Sequence, residues 1–92
     1  MKPKRKILLY SIKIPNKRLP YTNGGSLIID SDKYILKYFG TLHTFEKKNT
    51  KFEKLENYFI YCSIRIYDNV KSYELIVSPY TMDKLEQVVD LH

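Results

Sequence analysis

GGSLIIDSDKYILKYFG, residues 24–40, is the stretch that decides the fold. Two apolar runs, Leu27 to Asp30 and Lys33 to Phe39, flank the polar turn Asp30-Ser31-Asp32, whose short side chains hydrogen-bond local backbone in turns. In the second run Tyr34, Leu36 and Tyr38 share one face, opposite Lys33, Ile35, Lys37 and Phe39, and this period of two specifies a strand. Glycines punctuate both ends. The stretch is a β-hairpin, and the chain on either side of it reads as more of the same.

Upstream, residues 6–14 alternate as one strand, with Leu8, Tyr10, Ile12 and Ile14 on one face and Ile7, Leu9, Ser11 and Lys13 on the other. Both faces are partly apolar, so cover is expected on each side. PNKRLPYTNGG, residues 15–25, contains two prolines, two asparagines and two glycines and reads as a long basic loop. Downstream, TLHTFE (41–46) is a strand. After the polar turn KKN, TKFEKLE is a weaker strand or a helical turn, because Phe52, Leu55 and Phe59 lie three and four apart. YFIYCSIRIY, residues 58–67, places Ile60, Cys62, Ile64 and Ile66 on a core face and Phe59, Tyr61, Ser63, Arg65 and Tyr67 opposite. Asp68-Asn69 turns the chain into a last strand, Val70 to Val77. The period then changes. Ser78 is a good N-cap, Pro79 suits the first helical position, and Met82, Leu85, Val88 and Val89 form an apolar stripe, so residues 79–91 read as an amphipathic helix packed on a sheet.

The expected fold is mainly β (α+β): about seven antiparallel strands in a bent sheet or partly open barrel, with one C-terminal amphipathic helix. This order resembles the pleckstrin-homology-like (PH-like) superfold, a bent barrel of two sheets plugged by its final helix. The stretch GGSLIIDSDKYILKYFG is also similar to the early hairpin of bacterial PH and GRAM-type domains. The resemblance implies a binding or scaffolding module. It also implies an anion contact in and after the first strand, for which the matching positions are Lys13, Lys17 and Arg18.

A chain of 92 residues suits one small domain, residues 1–92, with 1–5 a frayed basic leader. The net charge of +6 is one-sided: residues 1–18 carry seven basic and no acidic groups, and the remainder is nearly neutral. The basic leader supports only weak attraction to an anionic membrane, since Lys2, Lys4, Arg5 and Lys6 together supply roughly 4 kcal/mol. The single cysteine excludes an intrachain disulfide, and with no secretory cleavage site after the first apolar run, a cytoplasmic location is expected.

No catalytic constellation is legible. Cys62 falls on the isoleucine face and reads as a small buried hydrophobe, and His43 reads as a partly exposed structural histidine. Two histidines without a carboxylate cluster make no metal site, and no cofactor or small-molecule substrate is inferred. Gly24-Gly25-Ser26 is followed by a strand, whereas nucleotide-binding glycine motifs open a helix. Two function classes remain. The first is a non-enzymatic module acting through protein association or self-association, using an edge strand and exposed Phe39, Phe45, Phe59 or Tyr61. The alternative is nucleic-acid binding through the basic positions Lys13, Lys17 and Arg18 and an exposed strand face on which Tyr61 and Tyr67 stack bases around Arg65.

Overall fold

A computed structural model of the chain describes residues 5–13, 24–38 and 40–91. The expected positions Ile14, Lys17, Arg18 and Phe39, and the loop between residues 14 and 23, lie outside the described residues. Among the described residues eight strands occur: β1 (Arg5–Leu9), β2 (Ser11–Lys13), β3 (Gly25–Ile29), β4 (Lys33–Tyr38), β5 (Thr41–Glu46), β6 (Lys51–Asn57), β7 (Cys62–Tyr67) and β8 (Ser72–Val77). A 3₁₀ turn, Lys47–Asn49, joins β5 to β6, and one helix, α1 (Pro79–Glu86), follows β8. The strands form two antiparallel four-stranded sheets, in the orders β1-β3-β4-β5 and β2-β8-β7-β6. The fold is therefore mainly β with a C-terminal helix, as expected, but the sheets do not close into a barrel. None of the described helices is long and apolar enough to cross a membrane.

The extra strand comes from a break in the first one. Residues 6–14 do not keep a single alternation: Ile7 and Leu9 are buried in β1, whereas Ile12 is buried in β2, so the inward parity changes across Tyr10 and Ser11. Leu8 and Tyr10, expected to share a face with Ile12, are exposed. Tyr10 is the pivot. Its N–H donates to the Ile76 carbonyl of β8 at 2.8 Å, and its own carbonyl accepts from the Gly24 N–H at 2.9 Å. One continuous segment thus serves as the outer strand of both sheets. Gly25 makes the crossing tight, at φ +148°, where a Cβ would stand 2.7 Å from Ile12 Cδ1 and 3.3 Å from the Lys37 carbonyl.

Between the sheets lies a core in which Ile12, Leu27, Leu36, Phe45, Ile64, Ile66, Leu75 and Val77 are fully buried. The Tyr34 and Phe52 rings meet edge to face at 4.9 Å, joining the two layers where β5 passes into β6. Phe45, expected to be exposed, pairs with Tyr34 across β4 and β5 and points inward with it. The choice between strand and helical turn at TKFEKLE resolves to a strand with a bulge between Lys54 and Glu56, where the Glu56 N–H donates to Ser63 Oγ at 3.1 Å.

Two further expectations are corrected at element ends. The strand expected at 58–67 begins only at Cys62, so Ile60 lies in a turn, 70% exposed, rather than in the core. Val70 is likewise in a turn, before β8. The helix expected over 79–91 stops at Glu86. Ser78 Oγ accepts from the Thr81 N–H at 3.0 Å and caps its start, while Met82 and Leu85 bury its apolar side. Beyond it Val89 remains buried, and Leu91 forms an isolated parallel bridge with Phe52. Apolar spacing continues past Glu86 because the chain leaves the helix through hydrogen-bonded turns, with the Val88 and Val89 N–H groups donating to the Leu85 carbonyl, and Val89 still covers the core.

The crossing yields a paired prediction. Gly25→Ala is expected to lower stability by about 1–3 kcal/mol, because it adds backbone strain and presses on fully buried Ile12. Gly40→Ala, at φ +74° with nothing within 4 Å of the added methyl, should cost less. Urea unfolding midpoints of the two variants test this ordering, which fails if Gly40→Ala is the more damaging.

Candidate protein-interaction site

β6 and β7 are joined by a two-residue turn, Phe59-Ile60, closed by the Tyr58 N–H donating to the Tyr61 carbonyl at 2.8 Å. Tight hairpin turns favour Gly, Asn and Asp, whose side chains are small or satisfy local backbone. Here the turn carries two large apolar side chains. Phe59 is 98% exposed, and beneath it the Tyr58 and Tyr61 rings lean together with centroids 4.6 Å apart. Lone exposed apolar residues are ordinary, but three consecutive large ones, Tyr58, Phe59 and Ile60, beside half-buried Tyr61 form a patch on the projecting tip. Neither Phe59 nor Ile60 contributes to the core.

The base of this hairpin is held firmly. Cys62 donates its S–H to Asn57 Oδ1 at 3.1 Å, and burial, followed by the carboxylates of Asp83 and Glu86, pushes its thiol above the usual range. Cys62 is therefore a protonated, buried side chain bridging the two strands below the tip. Beside it, Lys54 Nζ reaches Glu86 Oε1 at 2.7 Å and ties β6 to α1. On the opposite side of α1, a groove of about 470 Å³ separates the helix from β1. Arg5, Lys6 and Lys84 rim it, and Leu8 and Tyr80 offer apolar surface, 68% and 69% exposed. Lys84 Nζ lies 4.6 Å from the Tyr80 ring centroid, a cation–π contact that holds both side chains along the groove.

The residues marked for nucleic acid occupy a different setting. Arg65 and Tyr67 project from the outer face of β7, while Tyr61 belongs to the hairpin tip, its ring tilted against that of Tyr58. Arg65 Nη1 pairs with Glu53 Oε1 at 3.0 Å. Across the strands Lys13, Glu74, Arg65 and Glu53 stand in one row, alternating in sign. This row is balanced, whereas phosphate binding needs unopposed positive charge. Lys13 ends β2, from which the chain enters the segment holding Lys17 and Arg18, both outside the described residues.

His43 proves more engaged than its sequence context suggests. Its Nε2 lies 2.8 Å from the Tyr38 hydroxyl and its Nδ1 3.3 Å from the Tyr73 hydroxyl, so the imidazole links the two sheets. A neutral imidazole offers one donor and one acceptor, which matches two phenols in opposite roles. Burial, and then the Lys71 ammonium, hold its pKa below the ordinary histidine value of 6.5. Lys71 itself bonds the Thr44 carbonyl on the outer edge of β5 and sits 4.5 Å over the Phe45 ring. His43 and Cys62 belong to different sheets and are bound to different partners, so they do not assemble a nucleophile and base. Among the described residues no group of three or more His, Cys, Asp or Glu side chains is placed to hold a metal ion.

The histidine link sets a pH dependence. A lowered folded-state pKa means that the unfolded chain binds the proton more tightly, so the link stabilises fully above about 6.5 and is lost as pH falls through the folded value. His43→Gln, which keeps one donor and one acceptor, is expected to flatten the decline in melting temperature between about pH 7 and pH 5. An unchanged slope in thermal melts across that range would count against the link. No family model, curated protein sequence or solved structure matches this chain.

Proposed function

We propose that this protein is a small non-enzymatic binding or scaffolding module of PH-like fold that acts through protein association, with the Tyr58–Tyr61 hairpin tip as its contact. The single observation that carries this reading is the exposed apolar turn. A side chain of Phe size gains about 1.5–3 kcal/mol on burial, and fold stability explains neither Phe59 nor Ile60 in this position. Tyr58 and Tyr61 add amphipathic rings of the kind that dominate interface hot spots.

Support for the PH-like reading is topological. One bent first strand borders both sheets, two runs of sequential antiparallel strands follow, and a C-terminal helix lies between β1 and β6. The basic segment after Lys13 serves as an accessory anionic contact, and we place the protein in the cytoplasm, where a lone buried thiol stays reduced. A nucleic acid laid along Tyr61, Arg65 and Tyr67 would meet Glu53 and Glu74 in the same row, which favours the protein reading.

Photo-crosslinking from position 59 tests the proposal. With p-benzoylphenylalanine in place of Phe59, irradiation in lysate is expected to yield protein adducts, and the same group in place of exposed Val70 should yield few. Adducts confined to lipid or nucleic acid, or none, would overturn the assignment.

A further inference from the structure

The two sides of α1 are chemically opposite. Pro79, Met82, Asp83 and Glu86 line the side towards β6, where Glu56 and Lys54 also stand. The charged groups there are three carboxylates and one ammonium, and that ammonium is already paired with Glu86. Tyr80, Thr81, Lys84 and Gln87 line the side towards β1, where the charged groups are Arg5, Lys6 and Lys84, with no carboxylate among the lining residues. The hairpin tip rises from Asn57 and Cys62, on the acidic side. The groove with its apolar floor lies on the basic side.

We propose that the Phe59-Ile60 tip of one copy seats in the β1–α1 groove of a second copy, with Glu56 and Asp83 of the first facing Arg5, Lys6 and Lys84 of the second. This deepens the association reading, on which it rests, by naming the partner. The occupant is argued from complementarity. The groove calls for an apolar projection flanked by carboxylates, the tip calls for an apolar groove rimmed by cations, and this one chain carries both. Within a copy, α1 stands between tip and groove, so the contact is made between copies.

The geometry also dictates the form of the assembly. Tip and groove are different patches, so the contact is heterologous: a copy engaged through its tip still offers its groove, and association continues into chains or rings rather than ending at a two-fold dimer. A contact this small stays below the about 1,200 Å² of total buried surface typical of stable complexes, so it is weak and depends on concentration. The charged flanks are exposed and screened within about 8 Å at physiological ionic strength, so added salt weakens it.

Complementation between two disabled variants decides the matter. Phe59→Ser/Ile60→Ser removes the tip, and Arg5→Glu/Lys84→Glu reverses the groove; all four side chains are exposed, and thermal melts establish that each variant is folded. In light scattering the wild-type mass is expected to rise with concentration, and each variant alone should associate about 100-fold more weakly or less. Their equal mixture should form a one-to-one dimer that grows no further, since the intact tip of one variant fills the intact groove of the other. A monomeric mixture, or a wild type that stays monomeric or stops at a dimer, would overturn the proposal. Should a variant fail to fold, crosslinking of the wild-type background from position 59 to the Tyr80 segment of a second copy supplies the same decision. Adducts at position 59 only with another protein would leave the association reading standing and remove the second copy as partner.

Discussion

Tyr10 holds the two layers of this protein in one structure. Its amide donates to β8 in one sheet, and its carbonyl accepts from the residue that leads into β3 in the other. Both groups are backbone, so the corner depends on where the chain passes rather than on the tyrosine side chain, which is exposed. Gly25 accepts the resulting proximity with no side chain of its own, and Ile12 fills the space a Cβ would take. From this corner the parity of burial changes, which lets Ile7 and Leu9 face one side of the core and Ile12 complete it from the other.

Much of the architecture was legible in the sequence. The alternation in residues 27–38 and 62–67, and the Ser-Pro start of the helix, correspond to β3, β4, β7 and α1 because local period and local structure agree there. The parity change at Tyr10 was not legible, since no glycine or proline stands in that segment. Its only trace was that both faces of residues 6–14 were apolar. The turn at Phe59-Ile60 was hidden for the opposite reason: apolar residues continue through it, and the alternation runs unbroken across a place where the backbone reverses. The His43 link joins positions 30 apart, and pairing across that distance leaves no periodic mark.

The charge of the molecule is organised more finely than its total of +6 conveys. On the outer face of the second sheet opposite charges alternate along a row, so that surface presents little net field. Among the described residues positive charge gathers instead along β1 and one side of α1, where no carboxylate lines the groove, and Asp83 and Glu86 of the helix line the other side. A short helix thereby divides the surface into two electrostatic territories, with apolar side chains exposed in each. Phe59 and Ile60 on one side, and Leu8 and Tyr80 on the other, are apolar side chains that the fold leaves exposed.

The corner at Tyr10 also bears on the order of events during folding. Every other pairing in the second sheet joins strands adjacent in the chain, but Ser11 and Ile76 are separated by 65 positions. Closing so long a loop costs entropy before its contacts form, and such distant pairings govern the speed at which small β domains fold. Two local meanders, β3-β4-β5 and β6-β7-β8, can assemble from neighbouring strands while their apolar faces remain uncovered. The N-terminal segment pairs with both meanders, through β3 and through β8, so both four-stranded sheets are complete only with this segment in place.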